Sequence, residues 1–192
     1  MSHDESEPLF RTAHDAVRWA LSDDRVALQQ VSTYRSPGAG RGLSGFDGAA
    51  QAGIILSHIR GLRSPLNHLI VAQAASVKLP CTCGRDCCSG WTTNWRWAEA
   101  VEAIAVWWES DQEESSRPRL LRGCLRRFFG EHVSIDALAK RAGLHRATVS
   151  EFNGRVVGPI KPLKESAWRE LEERLAALGL IDGLVTETAA AA

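Results

Sequence analysis

The stretch Ser134-Ile135-Asp136-Ala137-Leu138-Ala139-Lys140-Arg141-Ala142-Gly143-Leu144-His145-Arg146-Ala147-Thr148-Val149-Ser150-Glu151-Phe152-Asn153-Gly154 decides the fold. Ile135, Leu138 and Ala139 fall on one face of a helix, and Ala139 is small where a second helix must come close. Gly143 follows where the chain must turn, a position at which a positive φ is cheap only for glycine. Leu144, Val149 and Phe152 then mark the inner side of a second helix that starts near Arg146. A helix-turn-helix from Ile135 to Gly154 is the expectation, because such a motif needs a packed first helix, a tight turn and a second helix with a free outer face. The same residues would also build an ordinary helical hairpin with glycine in its turn.

On the second helix the outward positions are His145, Arg146, Ala147, Ser150, Glu151 and Gly154. If that helix enters a major groove, arginine can bridge guanine, serine can meet a base or a phosphate, and the alanine methyl can touch thymine. Glu151 would either accept from a cytosine amino group or point away. Arg155 belongs to the same expected DNA-binding set, while Arg126, Arg127 and Lys161 are expected to position the protein on phosphates.

Charge distribution supports a nucleic-acid partner better than net charge does. Lys and Arg number 23 against 23 Asp and Glu, so the chain is formally neutral. Residues 117–164 nevertheless hold eleven basic side chains and only Glu131, Asp136 and Glu151, a local +8. Such a block makes a phosphate-attracting surface inside a neutral protein, or a plain solvated arginine face.

The rest of the chain also has helical periodicity, and no strand pattern competes. Leu9, Ala13, Ala16, Val17, Ala20 and Leu21 predict a short amphipathic helix before a glycine-rich linker over residues 36–45. Asp47 is the expected N-cap of a helix through Ile54, Ile55 and Ile59, and Ser64-Pro65 opens another through Leu66, Leu69 and Ile70. Asn94 is placed to cap a helix whose stripe is Trp95, Ala98, Val101, Ile104, Ala105 and Trp108. An acidic, polar run over residues 109–116 is expected to be an exposed linker. Pro118 then starts a basic amphipathic helix with Leu121, Cys124, Leu125 and Phe128 inward, and a last helix runs from about Ser166 to Gly179. The expected fold class is all-α. Its parts are residues 1–42 (helix and linker), 43–108 (helices with a cysteine loop), 109–117 (linker), 118–182 (helix-turn-helix domain) and 183–192 (tail).

Four thiols crowd one loop, Cys81-Thr82-Cys83-Gly84-Arg85-Asp86-Cys87-Cys88. In a reducing compartment that favours metal over a disulfide framework, and tetrahedral zinc takes four thiolates. Structural zinc on Cys81, Cys83, Cys87 and Cys88 is the expectation, with His58 or His68 as a substitute ligand should one cysteine not bind. Cys124, on an apolar stripe, is expected to be buried. No phosphate loop, nucleophile elbow or catalytic triad suggests an enzyme. No apolar run approaches the ~20 residues of a membrane helix, and residues 1–8 lack the features of a secretory signal, so a cytoplasmic location is expected.

Leu43-Ser44-Gly45-Phe46-Asp47-Gly48-Ala49-Ala50-Gln51-Ala52-Gly53, followed by paired helices, a cysteine-rich insertion and a basic helical end, resembles the Q-type late antitermination proteins of lambda-like bacteriophages. The chain is also similar to prophage-encoded helix-turn-helix proteins with a Cys-x-Cys and Cys-Cys-Ser-Gly loop. The resemblance covers about residues 43–97. It implies a protein that binds double-stranded DNA near a late promoter and joins paused bacterial RNA polymerase so that terminators are read through. A phage repressor or activator, or a small terminase subunit that binds DNA during packaging, would use the same parts.

Overall fold

A computed structural model describes residues 8–22, 46–81, 83–85, 89–111 and 117–182. These residues are mostly helical. In chain order they form α1 (Ala13–Ser22), α2 (Phe46–Arg60), α3 (Leu66–Ala74), β1 (Lys78–Pro80), β2 (Trp91–Thr93), α4 (Trp95–Asp111), α5 (Pro118–Phe128), α6 (Ile135–Ala142) and α7 (Arg146–Ala177). No described helix is long and apolar enough to cross a membrane. The chain divides into two compact units, one of Met1–Leu62 with Trp168–Ala192, the other of Arg63–Ala167. The glycine-rich linker expected over residues 36–45, most of the acidic run and the tail from residue 183 lie outside the described residues.

In the first unit α1 starts at Ala13, later than the periodicity suggests, because Thr12 supplies the cap: its hydroxyl accepts from the Asp15 amide at 3.1 Å. Ala13, Ala16, Val17 and Ala20 are buried, and these small side chains let α1 lie close against α2. Ile55 and Ile59 of α2 join Leu171 and Leu175 from the end of α7 in the core. His14 stacks on Trp168 with ring centres 4.6 Å apart. The two ends of the unit are pinned where Phe10 bridges Ile181 and its amide donates to the Leu180 carbonyl at 3.0 Å. Helix α2 begins one residue before Asp47, so Asp47 is inside its first turn and is not its N-cap.

The second unit is built on α4, which packs against α3 on one side and α5 on another. Asn94 caps α4 as its sequence position predicts, its side-chain oxygen accepting from the Arg96 amide at 3.1 Å. Val101, Ile104, Ala105 and Trp108 of the expected stripe are buried, but its start is turned: Trp97 and Ala100 face inward, with Trp97 fully buried, whereas Ala98 is half-buried and Trp95 is 56% exposed. Two residues along a helix is a rotation of about 200°, so burial of Trp97 turns Trp95 to solvent. The Trp97 indole N–H donates to the Phe129 carbonyl at 3.0 Å, and the Arg126 guanidinium sits 5.1 Å above its ring.

Three other expectations need correction. Residues Glu109 to Asp111 are the last turn of α4 and not linker, and Glu109 accepts from Arg122 of α5 at 2.6 Å. A small antiparallel ribbon exists where no strand was expected, pairing Lys78 with Thr93, Leu79 with Thr92 and Pro80 with Trp91. Its strands are three residues long, too short to show an alternating pattern in sequence. Finally, no separate helix starts near Ser166: α7 is continuous from Arg146 to Ala177 through Pro159 and Pro162. Each proline lacks the N–H that would bond the preceding turn. Both prolines are exposed while Val156, Ile160, Ala167, Leu171 and Leu175 are buried, so packing on the opposite face carries the helix past them.

Candidate nucleic-acid interface

The side chains expected to meet DNA are set by the α5–α6–α7 corner of the second unit. Ser134 caps α6, its hydroxyl accepting from the Ala137 amide at 3.1 Å. At the other end Gly143 adopts φ 64°, ψ 33°, the left-handed conformation its sequence position predicts. The Leu144 amide returns to the Ala139 carbonyl at 3.0 Å and closes the turn. His145 then starts α7: its carbonyl accepts from the Val149 amide at 3.2 Å, and its Nδ1 accepts from the Ala147 amide at 3.4 Å. The imidazole therefore serves as a helix cap at the place where the sequence suggested a contact residue.

Packing fixes which side of α7 faces out. Leu138, Ala139 and Val149 are buried, Leu144 and Phe152 are half-buried, and His145, Arg146, Ala147, Ser150, Glu151 and Gly154 are exposed. Close approach of α5 and α6 depends on Gly123. A Cβ there would lie 2.6 Å from Leu138 Cδ2, closer than real Cβ atoms come, so any larger residue at that point would force the Leu138 side chain to shift. Along α7 the exposed side presents Ala147, Ser150, Gly154, Gly158 and Lys161 in register, a face of low relief. Gly158 lies beyond the expected end of the motif at Gly154, and the continuity of α7 brings it onto this face.

Eight of the eleven basic residues between 117 and 164 are exposed, including Arg127, Lys140, Arg141, Arg146, Arg155 and Lys161. The other three are engaged within the unit. Arg122 donates from Nε to both oxygens of Glu102 at 3.0 and 2.9 Å and from Nη1 to Glu109 at 2.6 Å. Those carboxylates, first through the hydrogen bonds, hold its guanidinium more firmly protonated than usual. Arg126 pairs with Glu131 and covers Trp97, and the Lys164 ammonium lies 5.5 Å over the Phe128 ring. Arg126 is thus held by intramolecular partners. On α7, Arg155 lies 5.7 Å over Phe152. Arg146 Nε is 3.1 Å from Asp136 Oδ1, with the two side chains 71% and 61% exposed. An ion pair that exposed holds weakly, leaving the guanidinium able to turn to another acceptor.

Of the cysteine loop, Cys81 and Cys83 are within the described residues, Cys81 half-buried and Cys83 exposed, whereas Cys87 and Cys88 lie outside them. The ribbon closes the base of that loop, for the Cys81 amide donates to the Gly90 carbonyl at 2.9 Å. Among the described residues no group of three or more potential metal ligands is brought together. His68, half-buried on α3, has its pKa lowered by burial, with Glu99 acting in the opposite direction. His58 belongs to the first unit, where its carbonyl accepts from Arg174 at 3.5 Å. Cys124 is fully buried, as its apolar stripe predicts, and burial pushes its thiol up to about 11.

Compared with known proteins, the chain matches no family model, no curated protein and no solved structure, so any account of its function rests on these residues.

Proposed function

We propose that the chain is a sequence-specific double-stranded DNA-binding regulator of phage type, in which α6, the turn at Gly143 and the start of α7 act as a helix-turn-helix. The observation that carries this reading is the exposed set Arg146, Ala147, Ser150 and Glu151 on a helix whose opposite side is locked by buried Val149. A major groove admits one such helix, and exposed cations beside it supply the phosphate attraction. In this reading Arg146 leaves Asp136 for a base edge, Ser150 and Ala147 lie beside it, and Arg127, Arg155 and Lys161 hold the backbone.

The resemblance to Q-type antitermination proteins extends the proposal to bacterial RNA polymerase as the second partner, with read-through of terminators as the outcome. Zinc on Cys81, Cys83, Cys87 and Cys88 belongs to the same proposal. Support for it is the thiol-rich composition of a loop whose ends the ribbon holds together.

Selection from a randomised duplex library is the direct test. A defined binding sequence is expected. On that sequence Arg146→Ala costs about 1–3 kcal/mol and relaxes one base pair, with little effect on random duplex. Lys161→Ala weakens both and lowers the salt slope by about one unit. No enriched sequence, or equal loss on both duplexes with Arg146→Ala, removes α7 as the reading helix.

A further inference from the structure

We propose that the ribbon and the start of α4 form a second nucleic-acid surface, one that binds single strands by stacking unpaired bases on Trp91 and Trp95. Both indoles are 56% exposed, although the same helix buries Trp97 and Trp108. An indole left on the surface keeps a large apolar face in water, and a nucleobase is a flat partner that removes it. All three residues of β2 are exposed, and so are Lys78 and Pro80 of β1, so nothing among the described residues covers this side of the ribbon.

The charges around the indoles suit a phosphate backbone. The Arg96 guanidinium lies 5.2 Å over the Trp95 ring, and Lys78 and Arg85 are exposed on the ribbon and its loop. Among the described residues from 76 to 98 there is no acidic side chain. Glu99, one turn along α4 from Trp95, is the first, and it bounds the surface on that side. Aromatic faces flanked by cations bind single strands with little sequence preference, because every base has a π face. A protein partner would more usually seat tryptophan anchors in pockets, and here one indole stands on the ribbon and the other on the first turn of α4, both exposed. Base-paired DNA keeps its faces stacked and has none to offer. The surface uses none of the residues of the α6–α7 corner, and its case does not depend on the duplex-reading proposal.

The test is fluorescence anisotropy of the full chain with labelled oligothymidylate and oligouridylate of roughly 15 nucleotides, and with a random duplex of the same length. Both single strands are expected to bind, and a preference between them identifies DNA or RNA as the source. Replacing both indoles, Trp91→Ala with Trp95→Ala, should weaken single-strand binding about tenfold or more, since one base stack corresponds to roughly five- to 150-fold. The phenylalanine pair, Trp91→Phe with Trp95→Phe, should keep most of the affinity. Melting and duplex binding should stay unchanged in both variants, and Arg146→Ala should leave single-strand binding intact. Unchanged oligothymidylate and oligouridylate binding in the alanine pair overturns the proposal. So does a phenylalanine pair as weak as the alanine pair. A variant that loses RNA polymerase in a pull-down yet still binds both single strands also overturns it and makes the ribbon a protein-docking face.

Discussion

Alanine at Gly143 and alanine at Gly154 are the same chemical change eleven residues apart, and the structure gives them opposite signs. Gly143 has φ 64°, and a Cβ added there would meet nothing within 4 Å. Steric contact therefore plays no part, and the effect is that of placing an L-residue in the left-handed region, about 1–2 kcal/mol. Stiffening of the unfolded chain offsets about 0.4–1 kcal/mol of this. The net expectation for Gly143→Ala is a loss of about 1 kcal/mol. Gly154 lies within α7 and its Cβ direction is equally open, so alanine there keeps only the helix-forming advantage. Gly154→Ala should stabilise by about 0.5–1 kcal/mol. Gly143→Asn should fall between wild type and the alanine variant, because asparagine tolerates the left-handed region better. Urea unfolding followed by circular dichroism measures all three. If Gly143→Ala is neutral or stabilising, the turn between α6 and α7 is not built as described, and the orientation of Arg146 and Ser150 loses its basis.

Other expectations concern the core and the thiols. Trp97→Phe removes the indole donor from the Phe129 carbonyl and shrinks a fully buried side chain, so urea unfolding should show a loss of about 2–4 kcal/mol; less than about 1 kcal/mol would mean the indole is not anchored there. Cys124, with its thiol raised to about 11, stays protonated in the folded state at pH values where the unfolded chain has already lost that proton. Its contribution to stability is complete below the ordinary cysteine pKa and is lost as pH rises through 11. Peptide-resolved alkylation at pH 9 should label Cys124 only on unfolding, and labelling as rapid as that of Cys83 in the native protein would refute its burial. Protein purified under reducing conditions should carry one zinc per chain by elemental analysis, and Cys83→Ser should lower both zinc content and melting temperature; under about half an equivalent with unchanged melting removes the zinc proposal.

What the sequence discloses and what it hides divide by distance along the chain. The left-handed Gly143, the inward Val149 and the buried Cys124 each depend on neighbours within a turn or two, and local pattern finds them. The clamp on Arg122 does not yield to such reasoning, because Glu102 and Glu109 reach it only after α4 and α5 have packed. Counting charges within residues 117–164 therefore overstated how much of the basic block is available to a ligand. Tryptophan is ambiguous for a related reason: Trp95 and Trp97 are alike in composition, and only the rotation of α4 against α3 decides which is core. Continuity of α7 was hidden by two prolines that locally favour a break, and burial on the far side of the helix outweighs that preference.

The discontinuous make-up of the first unit sets an order on synthesis. The second unit is one unbroken span, Arg63–Ala167, and a ribosome releases it whole before the segment from Trp168 onward has emerged. The first unit draws its core from both sides of that span, with Leu171, Leu175 and the Phe10–Ile181 bridge available only after the span has been made. Ala13, Val17, Ile55 and Ile59, with α1 and α2 able to cover one another only in part, must therefore wait for the rest of their core while the intervening hundred or so residues are made. Chaperone engagement on the nascent chain should concentrate on this early segment, and a released chain truncated after Ala167 should show a protease-resistant second unit with a sensitive first one.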